Sequence, residues 1–137
     1  MTKEALYVER KEIPYIWHEV APLIEKALVH AEGSMLTPDV LSLLLDGTEC
    51  LFIGKKGDKI YSALVGEIIS YPRKRIFRIV TWSTESGHDM EEWINLLHVI
   101  EDYAKSHFCT ELEAWTRKGL ARKLKWDNEY SVITKKL

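Results

Sequence analysis

The sequence predicts an α/β protein of the α+β type, in which a mixed, mostly antiparallel sheet is flanked by helices. Three apolar runs separated by short polar turns favour three sequential antiparallel strands. A long amphipathic stretch follows the third run, and another short apolar run follows that stretch. A strand, a helix and a strand in this order form a right-handed crossover, so we expect the final strand to lie parallel to the third.

The first part of the chain is expected to form a strand followed by helices. Apolar and charged residues alternate from Leu6 to Glu12, which is typical of an edge strand. Apolar residues then recur at spacings of three and four from Ile13 to Leu28, which indicates a helix that faces a core. Proline has no N–H to donate, so we expect Pro22 to kink this helix or to begin a second one. The Thr37-Pro-Asp start signal predicts a further helix with Thr37 as its N-cap.

The remaining elements follow from strand alternation and helical spacing. They are strands at Cys50–Ile53, Ile60–Ser70, Ile76–Trp82 and Thr110–Thr116, a long helix at Met90–His107, a short basic helix at Lys118–Lys125 and a last strand at Tyr130–Lys135. Alternation puts Ile76, Arg78, Val80 and Trp82 on one face of the third strand, and Phe77, Ile79 and Thr81 on the other. The turn Ser83–Asp89 is the expected ligand site, because N–H groups at a helix N-terminus bind anions.

Length and composition fit one domain that covers residues 1–137. Hydrophobic residues make up 46% and charged residues 29% of the chain, which is close to the averages for globular proteins and excludes collagen and coiled coil. No apolar run approaches the ~20 residues that a bilayer-spanning helix needs. The first residues are too charged for a signal peptide. We therefore expect a cytoplasmic protein with no membrane segment.

The cysteine and histidine spacings predict no metal site. Cys50 and Cys109 are far apart, which favours reduced thiols over a disulfide. The five histidines show no paired-ligand spacing. We therefore expect the chemistry of this protein to involve no bound metal ion.

Charge is distributed unevenly along the chain, although the net charge is only −2. The segment from Glu85 to Glu113 carries −7, and the segment from Arg117 to Leu137 carries +5. A local basic patch on a mildly acidic protein suits a small anionic ligand better than a long polyanion, which argues against a nucleic-acid partner. An ordinary solvated helix face explains the basic segment equally well.

The order of these elements resembles the GNAT family of N-acetyltransferases. Scattered positions are similar to small acetyltransferase-like proteins of tailed bacteriophages: W-x-x-V-x-P-x-[LI]-x-x-A-L from Trp17 to Leu28, Thr37-Pro-Asp, and the stretch from Arg117 to Leu124. The resemblance implies a sheet that splays between the third strand, 76–82, and the strand 110–116. It also implies acetyl-CoA as cofactor and an amine, on a protein or a small molecule, as acceptor.

The same resemblance implies which residues contact the cofactor. Backbone near Val80, Thr81 and Trp82 would polarise the thioester carbonyl, while Ser86, Gly87, His88, Asp89, Arg117 and Arg122 would hold the phosphates. The family carries [RQ]-x-x-G-x-[GA] at the turn, where this chain has a single glycine, and the family's Tyr acid is absent from 117–126. The alternative is therefore a catalytically inactive GNAT-fold protein that binds a host or virion protein.

Two carboxylates are the candidates for acid–base chemistry on the acceptor amine. Glu67 lies inside the apolar run ALVGEII, and partial burial raises the pKa of a carboxyl group toward the range of a general base. Glu113 alternates with Leu112 on the next strand and points the same way as Glu111, so it could contact an amine. A salt-bridged or solvated strand face is the competing interpretation for both.

Overall fold

The computed structural model describes residues 3–29, 33–85, 90–114, 125–127 and 133–137, with the backbone alone at 90 and 91. The strands are β1 (Lys3–Val8), β2 (Cys50–Lys56), β3 (Lys59–Ser70), β4 (Arg75–Thr84) and β5 (Glu111–Ala114). The helices are α1 (Ile13–Leu28), α2 (Thr37–Asp46) and α3 (Met90–Ser106), with a 3-10 turn, Arg10–Glu12, before α1. Among the described residues, no helix is long and apolar enough to cross a bilayer.

The sheet has the strand order β1-β2-β3-β4-β5. The pairs from β1 to β4 are antiparallel, and β5 pairs with β4 in parallel through α3. This mixed sheet with helices on its faces confirms the expected fold class.

Helix boundaries in the N-terminal part differ from the expectations. The edge strand runs from Lys3 to Val8 rather than from Leu6 to Glu12, because residues 10–12 form the 3-10 turn that leads into α1. The helix α1 continues through Pro22, so no second helix begins there. Buried Val20 and Leu23 pack in one core on either side of this proline, which keeps the segment a single helix.

The start of α2 is also shifted by one residue. Leu36, in extended backbone geometry, is the N-cap, and Thr37 is already helical. The Asp39 carboxylate accepts a hydrogen bond from the Leu36 N–H at 2.9 Å, which satisfies a donor that the helix itself leaves unpaired. Gly47 ends α2 with a φ of 85°, a conformation that favours glycine.

Each face of the sheet carries its own apolar core. The α1/α2 core includes Val20, Ile24, Val40, Leu44, Leu51, Ile53 and Val65. The α3 core is more aromatic and includes Phe52, Leu64, Phe77, Leu96 and Ile100, with Tyr103 packed against it. In the α3 core the rings of Phe52 and Phe77 meet edge to face at 5.9 Å.

A β-bulge in β4 changes the expected alternation. Val65 pairs with Thr81 while the adjacent Gly66 pairs with Ile79, so Val80 is an extra residue on β4. The phase shift turns Trp82 into the α3 core, whereas Val80 packs against the α1/α2 core. The expectation that these two residues share a face is therefore wrong.

Parts of three expected elements lie outside the described residues. These are the turn at 86–89, nearly all of the basic helix at 118–125, and residues 130–132 of the last strand. Residues 133–135 are described and are not in a strand. The expected strand is wrong for these three positions, because within the described chain they have no strand to pair with.

Candidate functional site

The strands β4 and β5 are paired over only part of β4. Their last pair is Ile79 with Ala114, while β4 continues to Thr84 and pairs there with β3 alone. Within the described part of the chain, the β5-facing edge of β4 beyond Ile79 has no strand partner. We call this region, residues 80–84 of β4, the divergence edge. It begins at the Val80 bulge, where the hydrogen-bond ladder is already disrupted.

Two buried polar atoms lie on the divergence edge. The Thr81 hydroxyl oxygen and the Trp82 indole nitrogen have no hydrogen-bond partner among the described residues. The Trp82 ring packs on Trp93 of α3 with 4.7 Å between ring centroids. Leaving a buried polar atom unpaired costs about 1–3 kcal/mol, so such atoms are often ligand contacts.

The end of the divergence edge is fixed by β3. The Ser62 hydroxyl donates to the Ser83 carbonyl at 3.2 Å and shares a 2.8 Å hydrogen bond with the Thr84 hydroxyl. The Lys26 ammonium of α1 lies 3.4 Å from the Thr84 carbonyl. These contacts fix the end of β4 against β3 and α1.

A row of charged residues crosses the sheet next to the bulge. Strand register places Arg78 of β4 between Glu67 of β3 and Glu113 of β5. Arg78 donates from Nε to a Glu113 oxygen at 2.8 Å, and this pair is largely shielded from solvent. Glu67 is half-buried. Strand register thus places the two candidate carboxylates on the residues that flank Arg78.

A third carboxylate, Glu49, was missed from the sequence. It immediately precedes β2, and its side chain is 5% exposed. Burial is the first cause that raises its pKa, to about 7, and the charges of Glu67 and Asp46 add to the effect. One of its carboxylate oxygens has no partner among the described residues.

No sequence signal marks Glu49 as buried. It stands in the polar connection DGTEC, where a solvated loop residue is the ordinary expectation. Its burial depends on the end of β1, the end of α2 and the Tyr103 side chain, which come from three distant parts of the chain.

Five of the expected site residues can be placed in the structure. Val80, Thr81 and Trp82 form the divergence edge, and Glu67 and Glu113 flank Arg78 on the same sheet. The remaining expected residues, Ser86, Gly87, His88, Asp89, Arg117 and Arg122, lie outside the described residues. Across the described ranges, no group of three His, Cys, Asp or Glu side chains could hold a metal ion.

Solved structures resemble this chain closely in fold. No model of a protein family matches the sequence, and no curated protein matches it either. A GNAT family acetyltransferase from Staphylococcus aureus is 14% identical, with a TM-score of 0.71 over 100% of both chains. An aminoglycoside acetyltransferase from an uncultured soil metagenomic sample, in complex with sisomicin, is 14% identical, with a TM-score of 0.76 over 98% of this chain and 95% of that chain.

A third structure carries a cofactor. A predicted acetyltransferase from Clostridium acetobutylicum, with acetyl-CoA, is 13% identical, with a TM-score of 0.71 over 97% of this chain and 96% of that chain. At identities this low the likeness shows the fold alone. The protein therefore has the GNAT acetyltransferase fold.

Proposed function

We propose that the protein transfers an acetyl group from acetyl-CoA to an amine. The observation that carries the proposal is the divergence edge: a bulge at Val80, directly followed by a strand edge that β5 leaves unpaired in the described chain. Such an edge presents backbone N–H groups that can polarise a carbonyl. The GNAT acetyltransferase fold of the chain supports the same reaction.

The residues of the divergence edge fit an acyl-CoA. The Thr81 hydroxyl and the Trp82 indole N–H are buried polar atoms with no partner in the described chain, and both can donate to carbonyl oxygens. The backbone from Val80 to Trp82 would hold the thioester end. Acetyl-CoA, when bound, supplies the activated acetyl group. The expected phosphate contacts from Ser86 to Asp89 and from Arg117 and Arg122 belong to the proposal.

Glu67 is the proposed proton acceptor for the acceptor amine. An amine must lose a proton before its nitrogen can attack, and a nearby carboxylate or a water held by it can take that proton. Glu113 is less suited, because Arg78 already holds its carboxylate at 2.8 Å. In this proposal Glu113 and Arg78 together position the acceptor, while Glu67, two register positions from the bulge, receives the proton.

The acceptor is proposed to be a cation, on a small molecule or on a protein. Carboxylates on one sheet attract an ammonium group and raise its local concentration. The similarity to small phage proteins supports a role in the cytoplasm of an infected bacterium, acting on a host or virion component. The soil metagenomic neighbour, solved with sisomicin, is consistent with a cationic acceptor for this fold.

Release of free thiol from acetyl-CoA in the presence of primary amines tests this reaction. We expect turnover by the unaltered protein and a loss of about 100-fold or more in Glu67→Gln, the usual size of a general-base contribution. Glu19→Gln, an exposed change on α1, is the matched control and should keep the rate. Full activity of Glu67→Gln would contradict the role of this carboxylate as proton acceptor. Absence of turnover with every amine would contradict the proposal that the protein is an acetyltransferase.

A second proposed function is that of a binding protein without catalysis. It is favoured by the sequence of the expected phosphate turn, which contains only Gly87 and adds a negative charge at Asp89. For a binding protein of this kind we expect no acetyl-CoA turnover. We also expect a defined complex with one host or virion protein. Size-exclusion chromatography of the protein mixed with its purified partner tests for this complex. Acetyl transfer by the pure protein would contradict the proposal of a binding protein without catalysis.

A further inference from the structure

A small cleft lies where β1 ends. It has a volume of about 90 Å³, and its lining includes Tyr7, Arg10, Leu44, Glu49 and Tyr103. These residues come from β1, the 3-10 turn, α2, the β2 start and α3. We call it the Glu49 cleft.

Glu49 is the unexplained group of this cleft. The side chain is 5% exposed, and one carboxylate oxygen has no hydrogen-bond partner within the described residues. Its backbone is fixed, because the Glu49 N–H donates to the Leu43 carbonyl at 3.0 Å. A buried carboxylate without a partner needs a cation or a donor in front of it.

The neighbouring charges favour a cation at this position. Glu67 from β3 and Asp46 from the end of α2 both raise the pKa of Glu49 by repelling its charged form. Arg10 packs against Gly47 and lowers the pKa values of Asp46 and Tyr7, although other causes outweigh it at Tyr7. Arg10 is not among the causes that shift the pKa of Glu49.

Apart from Arg10, the other ionisable groups of the lining remain neutral at working pH. Burial raises the pKa of the Cys50 thiol to about 12, and burial also raises the pKa values of Tyr7 and Tyr103. The two tyrosine rings stack with 5.1 Å between centroids.

The cleft volume limits the size of the ligand. A cleft of about 90 Å³ has room for a small group such as a CH₂–NH₃⁺ head. A primary ammonium also brings three N–H donors for the unpaired carboxylate oxygen.

We propose that the Glu49 cleft binds a primary ammonium group with the Glu49 carboxylate as its counter-ion. Binding converts neutral Glu49 and R–NH₃⁺ into an ion pair, and the carboxyl proton goes to the buffer. Glu49 directly precedes β2, and Glu67, the proposed proton acceptor, lies on the adjacent strand β3. Ammonium binding in the cleft does not depend on the proposed acetyl transfer.

Calorimetry with n-butylammonium chloride, without acetyl-CoA, tests the cleft directly. Binding at pH 6.5 should release nearly one proton to the buffer. The binding enthalpy should therefore differ between two buffers by nearly the full difference in their ionisation enthalpies. Affinity should rise about tenfold from pH 6 to pH 8 as Glu49 ionises. Glu49→Gln should abolish both the proton release and the pH dependence, while Glu19→Gln should change neither.

Two results would overturn the proposal. One is butylammonium binding that is equal in Glu49→Gln and in the unaltered protein, with circular dichroism showing both folded. The other is preferential binding of propionate, which would assign the cleft to Arg10 and an anion. Tetramethylammonium, which has no N–H donor for the carboxylate, is the control and should bind more weakly. Because no cofactor is present, ammonium binding can succeed where acetyl transfer fails, and the reverse, so the two proposals are judged separately.

Discussion

The divergence edge and the Glu49 cleft both contain buried polar atoms that lack a partner in the described chain, but the atoms differ in chemistry. At the divergence edge they are the neutral Thr81 hydroxyl and Trp82 indole N–H, beside backbone of an unpaired strand edge. In the cleft the atom belongs to a carboxylate. Neutral donors suit a carbonyl-rich ligand and a carboxylate suits a cation, so the two regions favour different kinds of ligand.

The two regions also differ in how they are built. Strand order and one bulge create the divergence edge, so it depends on the pairing of neighbouring strands. The cleft depends on the junction of several elements that are distant in sequence. Gly66 joins the two regions, since it pairs with Cys50 on one side and with Ile79 at the bulge on the other.

The largest expected effect comes from Gly66→Val, which should damage both regions. An added Cβ would overlap the Phe77 ring, with Cε1 at 2.5 Å, and would come within 3.0 Å of the Arg78 carbonyl oxygen. We expect a loss of about 3 kcal/mol in the free energy of unfolding, the upper part of the overpacking range, measured in urea. Gly54→Ala is the control, because its added Cβ meets the movable end of Tyr61 and should cost less. Equal stabilities would contradict the close packing at the bulge.

Next in size is the pH dependence that Glu49 gives to stability. The pKa of Glu49 is raised from 4.5 to about 7 on folding, so the folded state holds a proton that the unfolded state has lost between these values. Stability should therefore fall as the pH rises from about 4.5 to about 7, by about 1–3 kcal/mol in all.

Glu49→Gln should remove most of that slope and raise stability above pH 7, where a buried unpaired charge is replaced by a neutral amide. Urea unfolding at pH 5 and pH 8 measures it, with Glu19→Gln retaining the full slope. If the free energy of unfolding changes equally with pH in the unaltered protein and in Glu49→Gln, then Glu49 is solvated.

A smaller effect is expected at the divergence edge. Thr81→Val removes one buried hydroxyl without changing the volume much, so acetyl-CoA affinity should fall about tenfold, as for the loss of one hydrogen bond. Stability should stay the same or increase, since the hydroxyl has no partner in the described chain. Butylammonium binding in the Glu49 cleft should not change. Unaltered acetyl-CoA affinity in Thr81→Val would show that the Thr81 hydroxyl does not contact the cofactor.

The smallest effect should come from a surface pair outside both regions. Lys74 and Glu111 are 3.0 Å apart, and both side chains are about half exposed. Solvent screens such a pair, so Lys74→Ala should change the free energy of unfolding by about 0.5 kcal/mol or less, without effect on either ligand. A change above 1 kcal/mol in urea unfolding would mean that surface charges matter more here than the buried ones.

Much of the fold could be predicted because regular elements repeat along the chain. The apolar spacing of α3 and the apolar runs of β3 and β4 can be recognised from neighbouring residues alone. The bulge could not be predicted, because every residue of the run Ile79 to Trp82 suits a strand whichever face it occupies. Continuation of α1 through Pro22 was missed because tertiary packing outweighs the local cost of a proline.

One part of the candidate site was expected from the sequence, and another part was not. Val80, Thr81 and Trp82 were expected from the family resemblance, and the structure adds that β5 pairs no further than Ile79 beside them in the described chain. Glu49 could not be found, because its burial exists only when Tyr7 and Tyr103 are brought to the start of β2.

Calorimetric titration of the unaltered protein with acetyl-CoA tests the central claim most directly. We expect one molecule bound per chain, with a dissociation constant well below 1 mM, and weaker binding by Thr81→Val. Absence of any binding heat at millimolar acetyl-CoA, in two buffers and at two temperatures, would contradict the assignment of the divergence edge as an acyl-CoA site.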